Sequence, residues 1–398
     1  MESKPIVIYL SPYDILRPRT NQVSDVRFSE GFSQNGCEVH LITPFVYRSD
    51  NISKESVQEI YGLESPIQIH YLATNFKKDI SGKLSSYLLA LLTTIKVFSL
   101  IKKTPSNKRI YIISRSAYLL QALLSTRKIF ETKFKNSTLI FWAHDFKEKS
   151  AFLKVYKECD FLLATNSTII NDLCKLGVKP LERTHVTLNP ITKAQSEFKI
   201  SKEDARKLIG LDKINEPLLV YTGKVAIDYN EELEFILKAV ALNPNIKLIC
   251  TGGKPDAISY WQNWCNKRKI NNVIFTGYIN DYSKIKYYQY SADILISYYT
   301  KQGHDVKYNL PNKICEYMLS GNIILSPNYP ATRDLLTDDN CCFTVPENEV
   351  ELSKSINFIL ENKVLMSAKA TNAKLLVSEI TFKKRGEMIL NFLQNFNG

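Results

Sequence analysis

Residues 311–321 read PNKICEYMLSG and lie between two short apolar runs, DILIS at residues 293–297 and NIILS at residues 322–326. Pro311 suits the first position of a helix, because the N–H that proline lacks would be unpaired there, and Gly321 follows the last turn. The flanking runs are typical of buried parallel strands. The stretch therefore predicts a strand, loop, helix and strand unit, with the helix N-terminus at the edge where parallel sheets bind ligands.

The predicted helix has one face for a sheet and another for a ligand. Ile314, Tyr317 and Met318 form an apolar strip that can anchor the helix, while Lys313 and Glu316 share a neighbouring face. Taken alone, the second face is explained by a surface lysine–glutamate pair, which stabilises a helix by about 0.2 to 0.5 kcal/mol. The strands on either side favour a ligand site instead.

β-rich runs alternate with helical stretches along the whole chain, which predicts an α/β protein with two doubly wound domains. At 398 residues the chain exceeds the size of about 250 to 300 residues at which single cores stop growing. A polar interval at residues 191–202 is the candidate linker. The predicted domains are residues 1–195 and 196–375, and residues 376–398 are expected to form a helix that packs back toward the first domain.

Composition and charge narrow the functional classes. Hydrophobic residues make up 44% of the chain and charged residues 23%, as in an ordinary globular protein. The eight cysteines include no C-x-x-C pair, which indicates buried thiols in a reducing compartment. The N-terminal segment lacks the pattern of a signal peptide, so a cytoplasmic location is expected. A net charge of +12 predicts an acidic partner: nucleic acid, an anionic membrane or a phosphorylated substrate.

Residues 84–101, LSSYLLALLTTIKVFSLI, form an apolar stretch flanked by lysines. The stretch approaches the length of a membrane span, but Lys96 and several serines and threonines argue against one. A core helix of the first domain is the favoured interpretation. An interfacial helix on anionic lipid is the next alternative, and a full span comes last.

Glycine-bearing turns follow three consecutive strands of the second domain. No G-x-G-x-x-G or G-x-x-x-x-G-K-[ST] is present after a first strand, so dinucleotide and P-loop enzymes are disfavoured. The turns contain Gly223 and Lys224 in YTGK, Gly252 and Gly253 in TGG, and Tyr278 in FTGY. Glycine lets a phosphate approach the backbone, and lysine neutralises it. Each turn alone is an ordinary connection; together they predict a nucleotide site.

In this order the segments resemble the donor domain of GT-B glycosyltransferases, specifically glycosyltransferase family 4 (glycosyl transferases group 1). The resemblance rests on YTGK (221–224), FTGYINDYSKIKYYQYSADILIS (275–297), PNKICEYMLSG (311–321) and SPNYPATRDLL (326–336). IISRSAYLLQALL, FWAHD and DFLLATNSTIINDLCKLGV extend it into the first half. It implies two Rossmann-like domains facing a central cleft, an N-terminal acceptor-side domain and a C-terminal domain that binds the nucleotide-sugar donor.

The resemblance also implies roles for single residues. Glu316 matches the family glutamate that accepts hydrogen bonds from the donor's ribose hydroxyls. Lys224 stands at the basic residue that stabilises the departing diphosphate, and Gly223 gives that phosphate room. Lys313 is a second diphosphate candidate, with a structural ion pair to Glu316 as the rival interpretation. His144, in FWAHD, matches a histidine that faces the donor sugar, and a satisfied structural histidine is its alternative. His144, Lys224 and Lys313 are thus the implied catalytic residues.

One position in the donor loop departs from the family pattern. Tyr308 stands where a second glutamate is expected, eight residues before Glu316, so Asp305, His304 or backbone amides of residues 303–310 would have to meet the sugar. The remaining donor-binding candidates implied by the resemblance are Gly252, Gly253, Tyr278, Asp305, Tyr308 and Asn312.

Basic residues also differ from the family pattern. Tyr229 occupies the place of a lysine expected five residues after Lys224. The loop after the first strand lacks the glycine pair of many relatives and carries Arg17 and Arg19 instead. These arginines are candidates for contact with a donor phosphate or an anionic acceptor, and a solvated basic turn is the alternative.

The resemblance implies a retaining glycosyltransferase of polysaccharide biosynthesis that moves a hexose-type sugar from a nucleotide-sugar donor to a glycan or lipid-linked acceptor. No cofactor and no metal are expected, because fixed cations and dipoles can stabilise the departing diphosphate. The expected partners are the donor, the acceptor and an anionic membrane surface, without nucleic acid. Two alternatives stay open: a GT-B-fold sugar-nucleotide epimerase, and a non-catalytic basic protein that binds membrane or nucleic acid.

Overall fold

The computed structural model describes residues 4–16, 19–45, 57–73, 82–227, 231–301 and 305–396. The chain divides into two compact units, Met1–Leu188 with Phe382–Gly398, and Asn189–Thr381. The second unit thus begins before, and ends after, the bounds expected from the sequence.

The first unit is a parallel sheet flanked by helices. Within the described residues its strands are β1 (Ile6–Leu10), β2 (Glu38–Phe45), β3 (Gln68–Ala73), β4 (Ile110–Ser114), β5 (Ser137–Ala143), β6 (Phe161–Ala164) and β7 (Thr184–Val186). They lie in the order β3-β2-β1-β4-β5-β6-β7. Its helices are α1 (Thr20–Ser33), α2 (Val57–Tyr61), α3 (Gly82–Lys103), α4 (Ala117–Ile129), α5 (Ser150–Glu158), α6 (Ser167–Lys175) and α15 (Phe382–Gln394).

The last helix of the chain, α15, packs on α1 in the first unit. The two helices approach closely at a pair of glycines, since a Cβ atom on Gly386 would lie 2.5 Å from the carbonyl oxygen of Gly31. Ile389 and Leu393 of α15 are fully buried in the same core as Phe28. The C-terminal helix is therefore part of this unit's hydrophobic core.

The second unit is also a parallel sheet flanked by helices. Its described strands are β8 (Leu218–Thr222), β9 (Lys247–Thr251), β10 (Val273–Gly277), β11 (Ile294–Ile296), β12 (Ile323–Pro327) and β13 (Cys342–Thr344), in the order β10-β9-β8-β11-β12-β13. Its helices are α7 (Lys193–Ser196), α8 (Lys202–Leu208), α9 (Glu231–Ala241), α10 (Pro255–Lys267), α11 (Tyr282–Ser291), α12 (Lys313–Ser320), α13 (Glu349–Glu361) and α14 (Lys363–Ser378). The α/β class with two parallel sheets is confirmed.

The polar interval at residues 191–202 is ordered within the second unit. Ile191 is 1% exposed, and its N–H donates to the carbonyl oxygen of Ile380 over 2.9 Å. Thr192 begins α7 with a capping box, and Ser201 caps α8. These caps satisfy backbone N–H groups at both helix starts. The polar residues of this interval therefore act as helix caps.

The helix predicted from PNKICEYMLSG is α12, and its start differs from the prediction. Pro311 does not occupy the first helical position: Asn312 is the N-cap residue and the helix begins at Lys313. The N–H of Ile314 reaches back to the carbonyl oxygen of Pro311 over 3.1 Å, so a tight turn precedes the regular helix. Gly321 ends it with a left-handed φ of 74°, as the sequence predicts. The anchoring strip is confirmed, since Ile314 and its apolar neighbours are fully buried.

Candidate active site

The three glycine turns of the second unit meet at the carboxyl edge of its sheet. The N–H of Gly252 donates to the carbonyl oxygen of Gly277 over 2.8 Å, and the N–H of Gly223 donates to that of Thr251 over 3.2 Å. A Cβ atom on Gly252, whose φ is 109°, would lie 2.0 Å from the carbonyl oxygen of Gly223. Glycine is therefore required at position 252 by the contact between two turns, whether or not a ligand binds.

The side chains beside these turns differ in exposure. Lys224 is exposed immediately after Gly223. Tyr278 is 73% exposed just beyond β10. Gly253 faces inward, because a Cβ atom there would lie 2.9 Å from the Cβ of Val225. Lys224 and Tyr278 are thus open to a ligand, whereas Gly253 allows the chain to pass close to its neighbour.

Lys313 extends from the start of α12 to the end of β8. Its Nζ donates to the carbonyl oxygen of Thr222 over 3.3 Å. The ammonium also lies over two aromatic rings, 4.3 Å from the centroid of Tyr221 and 4.7 Å from that of Tyr299. These contacts hold the charge directly behind the Gly223 turn, where cation–π attraction is strengthened by partial desolvation.

The protonation of Lys313 is poised near neutrality. Burial lowers the pKa of Lys313 to about 7, although the carboxylates of Glu232 and Glu316 act in the opposite direction. An anion bound next to this ammonium would favour its charged form and raise the pKa again. The side chain can therefore respond to a diphosphate with a change in charge.

Glu316 lies one turn after Lys313 and is held by a residue of another helix. Gln289, on α11, is 1% exposed and donates from Nε2 to Oε2 of Glu316 over 2.9 Å. Burial lowers the pKa of Lys286, and the negative charge of Glu316 acts in the opposite direction. The half-buried carboxylate is therefore oriented before any ligand arrives.

Tyr317 fixes the Gly223 turn to α12. Its hydroxyl accepts a hydrogen bond from the N–H of Thr222 over 2.9 Å and lies 3.0 Å from Oγ1 of the same residue. Both atoms are buried. The last residue of β8 is thus joined to α12 through Tyr317 and Lys313, which couples the position of the turn to that of the helix.

The loop before α12 carries the other donor candidates. The N–H of Tyr308 donates to the carbonyl oxygen of Asp305 over 3.1 Å, which closes a turn. Tyr308 is 8% exposed, so the ring that replaces the expected glutamate is packed inward, beneath the ammonium of Lys307. Asp305 and Asn312 are exposed.

Three residues named from the sequence, Arg17, Tyr229 and His304, lie outside the described residues. The exposed Arg19 precedes α1 as its N-cap residue. The roles expected of these residues stay predictions.

In the first unit, His144 directly follows β5 and packs against Trp142 with its ring tilted by 55°, at 4.2 Å between ring centroids. Burial, reinforced by the charges of Arg115 and Arg385, holds the pKa of His144 well below its usual range. Its Nε2 is buried and has no hydrogen-bond partner among the described residues. The histidine is therefore a neutral imidazole with a polar atom left to pair, unlike a satisfied structural histidine.

A buried carboxylate lies near that histidine's neighbour Arg115. Asp25 of α1 is fully buried and accepts hydrogen bonds from Tyr9 over 2.8 Å and from Ser11 over 2.7 Å. The guanidinium of Arg115 is 3.5 Å from its Oδ1. Burial raises the pKa of Asp25 to about 6 despite these partners. Asp25 thereby orients Arg115 at the carboxyl ends of β1 and β4.

A separate cavity of 360 Å³ lies at the opposite edge of the second sheet, where β8, β11 and β12 begin. Lys202 and Arg206 line it, and both pair with Asp293 over 2.9 Å and 2.8 Å. The two cations share one carboxylate, so one positive charge stays uncompensated within this cluster. This cavity is remote from the glycine turns, at the strand ends that parallel sheets do not use for ligands.

Comparison with known proteins assigns the second unit to a family. Residues 216–362 match the family model described as Glycosyl transferases group 1. This part of the chain is therefore similar to glycosyl transferases group 1. The matched residues span the sheet of the second unit, the glycine turns and α12. No curated protein matches this chain by sequence.

Solved structures share the fold of this chain along nearly its whole length. HepE of Anabaena, crystallised with UDP-glucose, is 14% identical at a TM-score of 0.70, covering 98% of this chain and 99% of its own. Sucrose-phosphate synthase of Thermosynechococcus elongatus is 12% identical at 0.72, covering 99% of each chain. A glycosyltransferase of Rickettsia africae is 14% identical at 0.70, covering 98% of each. The predicted GT-B fold is confirmed, and the predicted family is supported by the match over residues 216–362.

Several contacts of the candidate site are not visible in the sequence of this protein. Gln289 lies in the run KIKYYQY and reaches Glu316 only because α11 and α12 are neighbours. Asp25 meets Arg115 in the same way, although 90 residues separate the two in the chain. For Asp25 the sequence does contain a clue. It is a charged residue next to Val26 and Phe28 on the buried side of α1, and a buried charge requires partners.

Proposed function

We propose that this protein is a glycosyltransferase that takes a hexose-type sugar from a nucleotide-diphosphate donor and transfers it, with retention, to a glycan or lipid-linked acceptor. The donor binds at the carboxyl edge of the second sheet. One observation carries the proposal: an ammonium and an oriented carboxylate, Lys313 and Glu316, lie one turn apart beside the Gly223 turn. The UDP-glucose complex of HepE, a protein of the same fold, supports this class of donor.

In this proposal Glu316 binds the ribose. A carboxylate has about four lone-pair positions, so Glu316 can accept hydrogen bonds from Gln289 and from two vicinal hydroxyls together. Bonds to a charged acceptor are stronger than those between neutral groups. Because Gln289 orients the carboxylate before binding, little side-chain freedom is lost when the ribose arrives.

The diphosphate is stabilised as it departs by two lysines with different environments. Lys224 is exposed beside the Gly223 turn, and Lys313 stands behind the turn in contact with Thr222. The bond from the sugar's anomeric carbon to the diphosphate breaks, so negative charge develops on the diphosphate. The acceptor oxygen bonds to that carbon on the same face, and its hydroxyl proton passes to an oxygen of the departing diphosphate. Preorganised cations stabilise this charge without a metal ion.

His144 supplies a neutral imidazole to a sugar hydroxyl, for which its unpaired buried Nε2 is suited. Arg17 and Arg19 contact an anionic group of the acceptor or donor. The formal net charge of +12 fits a phosphorylated or lipid-linked acceptor. A cytoplasmic protein at the inner face of a membrane would meet such an acceptor.

A panel of nucleotide sugars tests the proposal. Without acceptor, the wild-type protein should slowly release the nucleotide diphosphate from its own donor, and Glu316→Ala should lower kcat/KM at least about tenfold. Glu203→Ala, at an exposed position of α8, is the matched control and should match wild type. Absence of binding and hydrolysis with every donor, or unchanged release in Glu316→Ala, would contradict the proposal. Appearance of an epimerised sugar would favour the epimerase.

A further inference from the structure

Helix α3 packs against the first unit with only part of its surface. The segment Ser85–Lys103 is long and apolar enough to cross a membrane, with a mean hydropathy of 1.3, yet only 22% of it is buried. Ala90, Val97 and Ile101 face inward at helical spacing. One face of α3 is therefore a core face, as predicted from the sequence, whereas the rest of this apolar helix is not buried.

The outer face carries an apolar stripe. Tyr87, Leu91 and Ile95 follow one another at intervals of four residues and are 65%, 56% and 58% exposed. Residues four apart lie on the same side of a helix, so the three side chains form one continuous strip. We name these three residues the α3 stripe. Large apolar groups that adjoin in this way on a soluble surface mark an interaction site.

Further apolar side chains continue the surface beyond the helix. Ile129 and Phe130, at the end of α4, are 75% and 47% exposed. Phe130 adjoins α3, because its ring centroid lies 5.4 Å from that of Phe98. The exposed apolar surface thus extends from α3 to the end of the neighbouring helix.

Lysines surround this end of α3. Lys102 and Lys103 are exposed in its last turn, and the ammonium of Lys102 lies 4.7 Å from the ring centroid of Phe98. Lys133 and Lys135, in the turn that follows α4, are exposed as well. The surface therefore combines apolar side chains, which favour a hydrocarbon environment, with cations that favour anionic headgroups.

We infer that the α3 stripe and these lysines form a docking surface for an anionic phospholipid bilayer. The helix lies in the plane of the headgroups, with Leu91 and Ile95 in the acyl boundary and Lys102 among the phosphates. A second copy of this chain is a poorer occupant, since a chain with a net charge of +12 is repelled by its own copy. A transmembrane span is disfavoured because Ala90, Val97 and Ile101 are already buried in the unit.

Vesicle flotation of the full chain tests the surface. We expect wild type to float with vesicles of phosphatidylcholine mixed with phosphatidylglycerol, and hardly at all with phosphatidylcholine alone. The double variant Leu91→Gln with Ile95→Gln should bind the anionic vesicles at least about tenfold more weakly, because two partly inserted apolar side chains are lost. Lys102→Gln with Lys103→Gln should weaken binding by roughly fivefold for each lysine removed at low salt.

Matched controls separate docking from folding and catalysis. Leu208→Gln with Leu242→Gln changes two side chains of similar exposure, 61% and 55%, in the second unit and should float like wild type. Circular dichroism and thermal melting should match wild type in every variant, since all substitutions are at exposed positions. Nucleotide release in vesicle-free solution should also be unchanged, so a failure here is distinct from a failure of the proposed donor reaction.

Four results would overturn the inference. The first two are that wild type binds neither vesicle type and that the α3 variant floats as well as wild type. Retention in the membrane fraction after alkaline carbonate extraction would indicate a span instead of docking. Dimerisation in analytical ultracentrifugation that is lost in the α3 variant, without vesicle binding by wild type, would assign the stripe to a second copy.

Discussion

The ammonium of Lys313 lies 3.3 Å from the carbonyl oxygen of Thr222, so a cation at the start of α12 is fixed to the last residue of β8. The next residue is Gly223, where the backbone turns. The contact thus places the ammonium of Lys313 next to the glycine turn, although the two segments are about ninety residues apart in the chain.

Lys313→Gln should alter the pH dependence of donor use. Because the pKa of Lys313 is about 7, the ammonium is present below that pH and is lost as the pH rises through it. kcat/KM for the donor reports groups of the free enzyme, so the wild-type value should fall above pH 7. In Lys313→Gln it should be about tenfold lower at pH 6, with a flatter profile.

Lys267→Gln, at an exposed position of α10, is the control and should keep the wild-type profile. A profile for Lys313→Gln that parallels wild type from pH 6 to pH 8.5 would contradict a role for the ammonium in donor binding.

Gln289→Leu should weaken donor binding without changing the chemical step. The substitution removes the hydrogen bond that orients Glu316. We expect KM for the donor to rise about five- to tenfold, with kcat within about twofold of wild type, because an orienting contact of this kind contributes about 1 to 1.5 kcal/mol. Steady-state kinetics with varied donor measures both constants.

Gln262→Leu, on the exposed face of α10, should change neither constant. An equal fall in kcat and rise in KM for Gln289→Leu, together with a lower Tm, would indicate a general loss of structure and contradict the positioning role.

Gly252→Ala should destabilise the second unit more than Gly277→Ala. Both glycines have positive φ, 109° and 73°, so alanine is strained at each, by about 1 kcal/mol at Gly277. At Gly277 an added Cβ meets no atom of the described residues within 4 Å, whereas at Gly252 it would lie 2.0 Å from the carbonyl oxygen of Gly223. We expect Gly252→Ala to cost about 2 to 3 kcal/mol more, since two turns must separate.

Urea denaturation of both variants measures this difference. Equal free energies of unfolding would show that backbone conformation alone, and not the contact between the turns, requires glycine at position 252.

His70 should make the first unit less stable in mild acid. Nε2 of His70 lies 2.9 Å from Nδ1 of His40, and burial, with the charges of Lys96, His40 and Lys103, lowers the pKa of His70 from 6.5 to about 4. The neutral form is therefore favoured by folding. The stabilisation is complete above pH 6.5 and is lost as the pH falls toward 4.

Between pH 7 and pH 5 we expect wild type to lose about 1 kcal/mol more free energy of unfolding than His70→Gln, allowing for solvent screening of a half-buried ring. Near pH 8 the free energy of unfolding should depend on pH equally in wild type and in His70→Gln. Identical slopes for both proteins between pH 7 and pH 5 would contradict this assignment.

Local pattern was sufficient for most of the fold. Runs such as PIVIYL and NIKLICT are strands in both units because short apolar segments between turn residues suit the interior of a parallel sheet. Gly321 ends α12 as expected, since the left-handed conformation there favours glycine. The start of the same helix was missed because the turn from Pro311 depends on backbone geometry that residue type alone does not specify.

Contacts between distant residues determined the character of the site. The sequence predicts Gly252 as a possible phosphate contact. In the structure, glycine is required at this position because the backbone packs against Gly223. The sequence allows an ion pair between Lys313 and Glu316, three residues apart on α12. In the structure, Lys313 instead donates a hydrogen bond to Thr222, and Glu316 accepts one from Gln289. A single sequence records which side chains share a helix face, because that follows from helical period. Which backbone oxygen or amide meets them, and how far burial shifts a pKa, depends on the packing of elements that lie far apart in the chain.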